Sequence, residues 1–270
     1  MPSVITERRD HVLHIGLNRP AKRNAMNPAL NRRMAALLDE LEFNDAVRVL
    51  VLKGEGAAWS AGMDLKEYFR ETEADGLGAV RRSQREAYTW WRRLRWFQKP
   101  TIAMVNGWCF GGGYGPLFAC DLAVAADEAQ FALSEVNWGI LPGGGATKVV
   151  VDLMSMRDAM YHALTGELID GKRAAAWKLV NESVPQAQLE ARVSEIAGIL
   201  IKKNPVTLKA AKDAIRRVKE MTYDNAEDYL IRAQEAANSF DNEGRKQGIR
   251  QFIDEKTYKP GLGPYDRSRG

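Results

Sequence analysis

Residues Asn106–Pro116 read NGWCFGGGYGP. A chain that gives up its side chains at Gly111, Gly112 and Gly113 in succession lets something approach its backbone more closely than a Cβ allows. The β-rich run TIAMV (Thr101–Val105) stands directly before, closed by Asn106-Gly107, and Pro116–Cys120 reads as a short helix. The local order is therefore strand, glycine turn, helix. The first N–H groups of such a helix lack intrahelical partners and sit at the positive end of its dipole, so the turn suits a negative charge. Tight helix–strand packing would use the same glycines.

Working outward, HVLHIGLN (His11–Asn18) reads as a strand ended by Arg19-Pro20. Asn27-Pro28 supplies a cap and a first helical residue, after which Leu30, Met34, Leu37, Leu38 and Leu41 recur with a helical period. VRVLVL (Val47–Leu52), LAVA (Leu122–Ala125) and Gln130–Leu133 read as further strands, and Val80 to Phe97 as a helix rich in arginine and aromatics. Strands separated by helices predict an α/β core. After about Met154 strand signals fade. Arg157–Leu164, Gly171–Leu179, Leu189–Lys203, Pro205–Glu220 and Asn225–Phe240 all read as helices. The expected organisation is an α/β core over residues 1–195 and a helical region over 196–270.

The chain has 270 residues, 45% of them hydrophobic and 27% charged, which is an ordinary soluble composition. Its net charge of +4 suits an anionic ligand without implying nucleic acid. Cys109 and Cys120 lie in apolar runs and form no disulfide framework, which points to a reducing cytoplasm. No apolar run approaches the roughly 20 residues of a membrane span, and MPSVITERRDH lacks the apolar stretch of a secretory signal.

Several familiar motifs fail on inspection. A dinucleotide fingerprint through Gly111 and Gly113 needs glycine where Pro116 stands, and GELIDGKR (Gly166–Arg173) offers Arg173 where a P-loop needs Ser or Thr. His11, His14 and His162 have no metal-ligand spacing, and no GxSxG elbow occurs. A second small-residue loop decides more. WSAGMDL (Trp59–Leu65) also follows a strand. Two such loops can aim two backbone N–H groups at one oxygen, the arrangement of an oxyanion hole.

LNRPAKRNAMN, WSAGMDL, NGWCFGGG, CDLAVAADEAQFALSEVNWGI and LTGELIDGKRAAAWKLVNESVP, in that order, resemble the crotonase (enoyl-CoA hydratase/isomerase) superfamily, from about His11 to Lys259. The resemblance implies a spiral of β-β-α units, a helical C-terminal trimerisation region, and a trimer or dimer of trimers. It implies an acyl-CoA thioester as substrate, with its oxygen between the N–H groups of Met63 and Gly112. Lys22, Ala61, Gly62, Asp64, Leu65 and Lys66 would contact coenzyme A. MDLKEYF, LSEVNWGI, EDYL and QFIDEKTYKPGL are most similar to the hydroxycinnamoyl-CoA hydratase-lyase group within that superfamily.

Hydrating an enoyl thioester needs a base for water and a proton for the α-carbon. The two-glutamate hydratases that the chain resembles carry one carboxylate two residues after the triple glycine, where this chain has Gly115; the other position is Glu135. A single glutamate suits a hydratase-lyase, in which a para-hydroxyl on the ring assists attack at the β-carbon. By the same resemblance Tyr68 and Tyr229 would bind that phenol, and Trp138, Gly143, Gly113 and Tyr114 would line the substrate. No metal or redox cofactor is implied. The chain departs from the hydratase-lyase pattern at Gly115, usually serine, and at Pro142–Gly144, where PGG replaces proline-glycine-asparagine. The alternative within the superfamily is a hydratase or isomerase of aliphatic enoyl-CoA.

One rival lies outside it. Arg81, Arg82, Arg85, Arg92, Arg93 and Arg95 accompany Tyr88, Trp90, Trp91 and Trp96, a composition able to grip phosphates and stack bases. Glu86 interrupts the cluster and helical spacing spreads it, so a solvated, oligomer-facing helix is the favoured reading.

Overall fold

The fold is that of a computed structural model in which residues 1–258 and 263–268 are described; the KPGL of QFIDEKTYKPGL lies outside them. The chain divides into two units, Met1–Phe97 with Thr101–Ala197, and Gln98–Pro100 with the residues from Gly198 onward.

In the first unit, β1 (Val4–Arg9), β2 (Val12–Leu17), β3 (Val49–Gly54), β5 (Thr101–Val105), β7 (Leu122–Ala126) and β10 (Glu182–Val184) form one sheet in the order β1-β2-β3-β5-β7-β10. A second sheet has the order β4-β6-β8-β9, from β4 (Ala58–Ser60), β6 (Trp108–Phe110), β8 (Gln130–Ala132) and β9 (Ile169–Asp170). Pairing is parallel except for β1 with β2 and β8 with β9. Successive strands alternate between the sheets: β3 then β4, β5 then β6, β7 then β8. Each turn of chain adds one strand to each sheet and moves on by one place, which makes a spiral. Parallel strands covered on both faces need continuous apolar runs, and all five residues of TIAMV are buried.

The expected strands appear within a residue or two of their anticipated ends. β1 was not anticipated, because VITERR is an edge strand with a largely exposed, charged face. β4, β6, β9 and β10 have two or three residues each, too few to show a period.

Helix α1 (Pro28–Glu42) begins as its sequence requires: Asn27 Oδ1 accepts the Leu30 N–H at 2.9 Å, and Pro28 occupies the first turn. Leu30, Met34, Leu37, Leu38 and Leu41 are its buried face. After the four-residue α2 (Glu71–Ala74) comes α3 (Leu77–Arg95), which buries Ser83, Ala87, Trp90, Trp91 and Leu94. The Trp90 indole N–H donates to Asn31 Oδ1 of α1 at 2.9 Å. Arg81, Arg82, Arg85, Arg92 and Arg93 face outward, with Arg32 bound to Glu86 and Arg93 to Asp39. The reading of α3 as a solvated helix thus holds for its arginine face and fails for the face that carries Trp90 and Trp91. Trp90 and Trp91 are interior while Arg81, Arg82, Arg85, Arg92 and Arg93 are exterior and Arg95 is half-buried, so the two tryptophans are closed to base stacking. The unit continues with α4 (Tyr114–Ala119), α5 (Ala146–Leu153), α6 (Met156–Thr165) and α7 (Gly171–Ala176); α8 (Leu189–Ile201) crosses the division.

The second unit holds α9 (Pro205–Val218), α10 (Tyr223–Phe240) and α11 (Asn242–Ile253). Asn204 caps α9 by accepting the Thr207 N–H at 3.0 Å, and its amide donates to Asp241, which caps α11. Buried Gln251 holds Asp266 through its amide at 2.6 Å and its carbonyl at 2.8 Å. Ile215, Leu230, Ile231, Phe240 and Ile253 are left exposed on these helices. No helix among the described residues is long and apolar enough to cross a membrane.

Candidate active site

The glycine turn follows β6 as a 3-10 turn over Gly111–Gly113 and runs into α4. What approaches its backbone is protein. Gly111 has φ +47°, and a Cβ there would stand 2.5 Å from Glu135 Oε1. A Cβ on Gly112 would meet Met63 Cγ at 2.8 Å and Met63 N at 3.3 Å. One on Gly113 would meet the Ser60 carbonyl at 3.1 Å. The missing side chains therefore let the WSAGMDL loop and the Glu135 turn close onto the same three residues. Gly62, at φ +88°, returns the contact: its Cβ would lie 3.0 Å from Gly112 N.

The second loop is held from the N-terminal side. Met26 N–H donates to the Gly62 carbonyl at 2.7 Å, and Asp64 N–H to the Met26 carbonyl at 2.9 Å. This isolated parallel bridge uses the groups flanking Met63, so the Met63 N–H takes no part in it. The Gly112 N–H, among the first of its turn, has no partner within that turn. Two donors that regular structure does not consume thus lie side by side.

Asn24 anchors this arrangement. Its buried side chain donates to the carbonyls of Glu55 (2.9 Å) and Ala58 (2.7 Å) and accepts from Arg19 N–H (2.8 Å). Ser60 Oγ donates to the Asn24 carbonyl at 3.0 Å and accepts the Gly62 N–H at 3.2 Å. Asp64 Oδ1 caps the π-turn Leu65–Arg70 through the N–H groups of Lys66 (3.0 Å) and Glu67 (2.9 Å). Its Oδ2 accepts from Arg19 at 3.0 Å.

Glu135 lies in the 3-10 turn Ser134–Trp138 that follows β8. Its Oε2 is buried with no hydrogen-bond partner among the described residues. Burial raises its pKa above the ordinary carboxylate value. A carboxyl so placed takes up and gives back a proton more readily near neutral pH than a solvated one does.

Behind the turn, the buried Tyr114 hydroxyl and His162 Nε2 are 2.6 Å apart. Burial, with Arg173 adding a smaller effect of the same sign, pulls the His162 pKa down to about 4 from 6.5. The folded protein keeps the ring neutral while the unfolded chain binds a proton below about pH 6.5. His162 therefore costs nothing above pH 6.5 and erodes stability as pH falls toward 4, at about 1.4 kcal/mol per pH unit at most. Urea unfolding at pH 7 and pH 5 checks this: about 2 kcal/mol of the fall should come from His162 and vanish in His162→Gln. An unchanged pH slope in that variant contradicts it.

The model of the family described as enoyl-CoA hydratase/isomerase matches residues 7–260. The chain belongs to that family. Over 267 residues it is 51% identical to the hydroxycinnamoyl-CoA hydratase-lyase of Pseudomonas fluorescens, covering 98% of this chain and 97% of that protein. It is 32% identical to the 2,3-dehydroadipyl-CoA hydratase of Escherichia coli K12, covering 95% and 98%. Among solved structures, the enoyl-CoA hydratase of Bacillus anthracis superposes with a TM-score of 0.84 at 27% identity, covering 94% of this chain and 96% of that one.

Within this family member, the first unit brings Met63, Gly112 and Glu135 together around the glycine turn. Tyr68 is 8% exposed in the π-turn, and burial pushes its pKa up to about 12. Tyr229 stands half-buried on α10 of the second unit. Trp138 shares the turn of Glu135 but is 54% exposed, and Gly143 is exposed. Lys22, Leu65 and Lys66 are exposed, and Ala61 is half-buried with its N–H given to the Arg23 carbonyl. The Asp64 carboxylate is engaged inside the protein, as capping acid and ion-pair partner. Sequence reasoning missed Arg19, Asn24 and Trp91. The first two sit inside LNRPAKRNAMN and were open to notice; Trp91 was hidden within an apparently solvated helix.

Proposed function

We propose that the protein hydrates 4-hydroxycinnamoyl-CoA thioesters and then cleaves the hydrated side chain, converting feruloyl-CoA and water to vanillin and acetyl-CoA. The observation that carries this reading is the 51% identity, over 98% of the chain, to a protein named hydroxycinnamoyl-CoA hydratase-lyase. It is supported by a site with Glu135 against the glycine turn and glycine at position 115.

Met63 and Gly112 N–H groups hold the thioester oxygen and stabilise the enolate that forms when water adds to the β-carbon. Glu135 takes a proton from that water and returns one to the α-carbon. In the second step it removes the β-hydroxyl proton. The Cα–Cβ bond breaks, its electron pair passes into the acetyl-CoA enolate, and a proton restores the α-carbon. Water enters and no electrons are gained or lost overall, so the sequence calls for no redox cofactor. Tyr68 binds the ring hydroxyl, Trp138, Gly143 and Gly113 line the acyl end, and Lys22, Ala61, Gly62, Leu65 and Lys66 take coenzyme A. Tyr114, wholly buried with its hydroxyl on His162, supports the turn from behind instead of lining the substrate. The exposed apolar residues of α9–α11 fit assembly into a trimer or a dimer of trimers.

Incubation with feruloyl-CoA should release vanillin and acetyl-CoA in equal amounts. Turnover of crotonyl-CoA or a 3-enoyl-CoA alone would replace this reading with the aliphatic hydratase or isomerase.

A further inference from the structure

Gly115, the position at which a two-glutamate hydratase carries its second acid, is not empty space. A Cβ there would lie 2.8 Å from Trp91 Cδ2, 2.8 Å from Cε3 and 2.9 Å from Cζ3. Three ring atoms at nearly one distance mean that Gly115 looks onto the face of the six-membered ring, not at its edge. No side chain enters at position 115 unless the indole moves. The far edge of the same ring reaches the loop after Glu135: a Cβ on Gly144 would be 3.3 Å from Trp91 Cη2 and 3.7 Å from the Gly112 Cα. The ring thus spans from Gly115 to a point that also touches the proposed oxyanion-hole residue.

The indole is held in this position. Trp91 is 7% exposed. Trp90 meets it edge-on at a centroid distance of 6.1 Å and is itself tied to Asn31. Tyr88 meets it edge-on at 5.4 Å from the exposed side of α3. With two edge-to-face neighbours and a glycine beneath it, the six-membered ring forms a flat apolar wall, while the buried indole Nε1 has no hydrogen-bond partner among the described residues.

We propose that Trp91 is a specificity-determining residue, paired with Gly115. Its indole fills the volume of the second carboxylate, leaves Glu135 as the acid/base group at this end, and shapes the acyl end for a flat conjugated group over a flexible aliphatic one. This rests on the reading of Met63, Gly112 and Glu135 as the acyl-CoA site. It also accounts for the glycine at 115: serine or glutamate there and tryptophan at 91 exclude one another.

A double-mutant cycle tests the pairing. Wild type, Gly115→Ala, Trp91→Leu and the double variant are compared for kcat/KM on feruloyl-CoA and on crotonyl-CoA, with Tm recorded for each. Gly115→Ala alone should cost about tenfold or more in kcat/KM, and the double variant should recover most of that loss. Trp91→Leu should lower the ratio of feruloyl-CoA to crotonyl-CoA kcat/KM by about tenfold or more. Equal losses on both substrates, or single-variant losses that simply multiply in the double variant, overturn the proposal. If Trp91→Leu does not fold, Trp91→Phe takes its place, with a smaller shift in the same ratio and the same recovery required. A wild type that turns over only crotonyl-CoA defeats the functional reading. The cycle run on that substrate and on Tm then decides the steric pairing by itself.

Discussion

Glu135→Gln is expected to lower kcat by about 10²–10⁴-fold, the span that a single general acid–base group contributes. Thermal stability should hold or rise in the same variant. The wild-type carboxyl is desolvated, its Oε2 lacks a partner among the described residues, and its pKa is raised, so the folded state binds its ionised form poorly. An amide of the same shape removes the cost of burying the charge. The pH profile carries the sign. Acting as base toward water, Glu135 must be ionised, so kcat/KM rises with pH through a value above 4.5, its unperturbed pKa. In Glu135→Gln that limb should disappear with the activity. Retained turnover, or loss of activity together with a fall in Tm, defeats the assignment.

Asn24→Ala is expected to be the most destabilising single change in the N-terminal clamp. Asn24 is wholly buried and makes three hydrogen bonds with its side chain, to Glu55, Ala58 and Arg19. Truncation strands two carbonyls and one N–H, each worth about 1–3 kcal/mol when left unsatisfied in the interior. Its φ of +56° adds about 1 kcal/mol, since alanine tolerates the left-handed region poorly. A loss of about 4 kcal/mol or more in urea unfolding is the expected result. Whatever folds should show a raised KM, because the Asn24 main-chain carbonyl, which accepts the Ser60 hydroxyl that in turn accepts the Gly62 N–H, is held in place by the side-chain bonds that alanine removes. A loss below about 1 kcal/mol would mean that water satisfies those groups.

These two residues differ in how openly the sequence declares them. Glu135 was legible because it follows an apolar strand within LSEVNWG, and the family resemblance marks that position as the acid. Asn24 lay inside a quoted motif, yet nothing local distinguishes a buried structural asparagine from a surface one. Trp91 was misread. Helical spacing in α3 spreads its arginines and aromatics around the axis, and only packing against α1 decides which of them face inward.

From the sequence alone came five of the strands, the cap of α1, the helical C-terminal region and the two glycine-bearing loops. These rest on local properties: side-chain period, turn chemistry and the spacing of neighbours in one segment. The tertiary structure decided what the glycines are for. Gly111 admits Glu135, Gly112 admits Met63 and Gly115 admits Trp91, and each of these partners lies elsewhere along the chain. A glycine announces that something must come close. Which atom comes close depends on where the spiral lays one strand beside another, and no window of neighbouring residues holds that information.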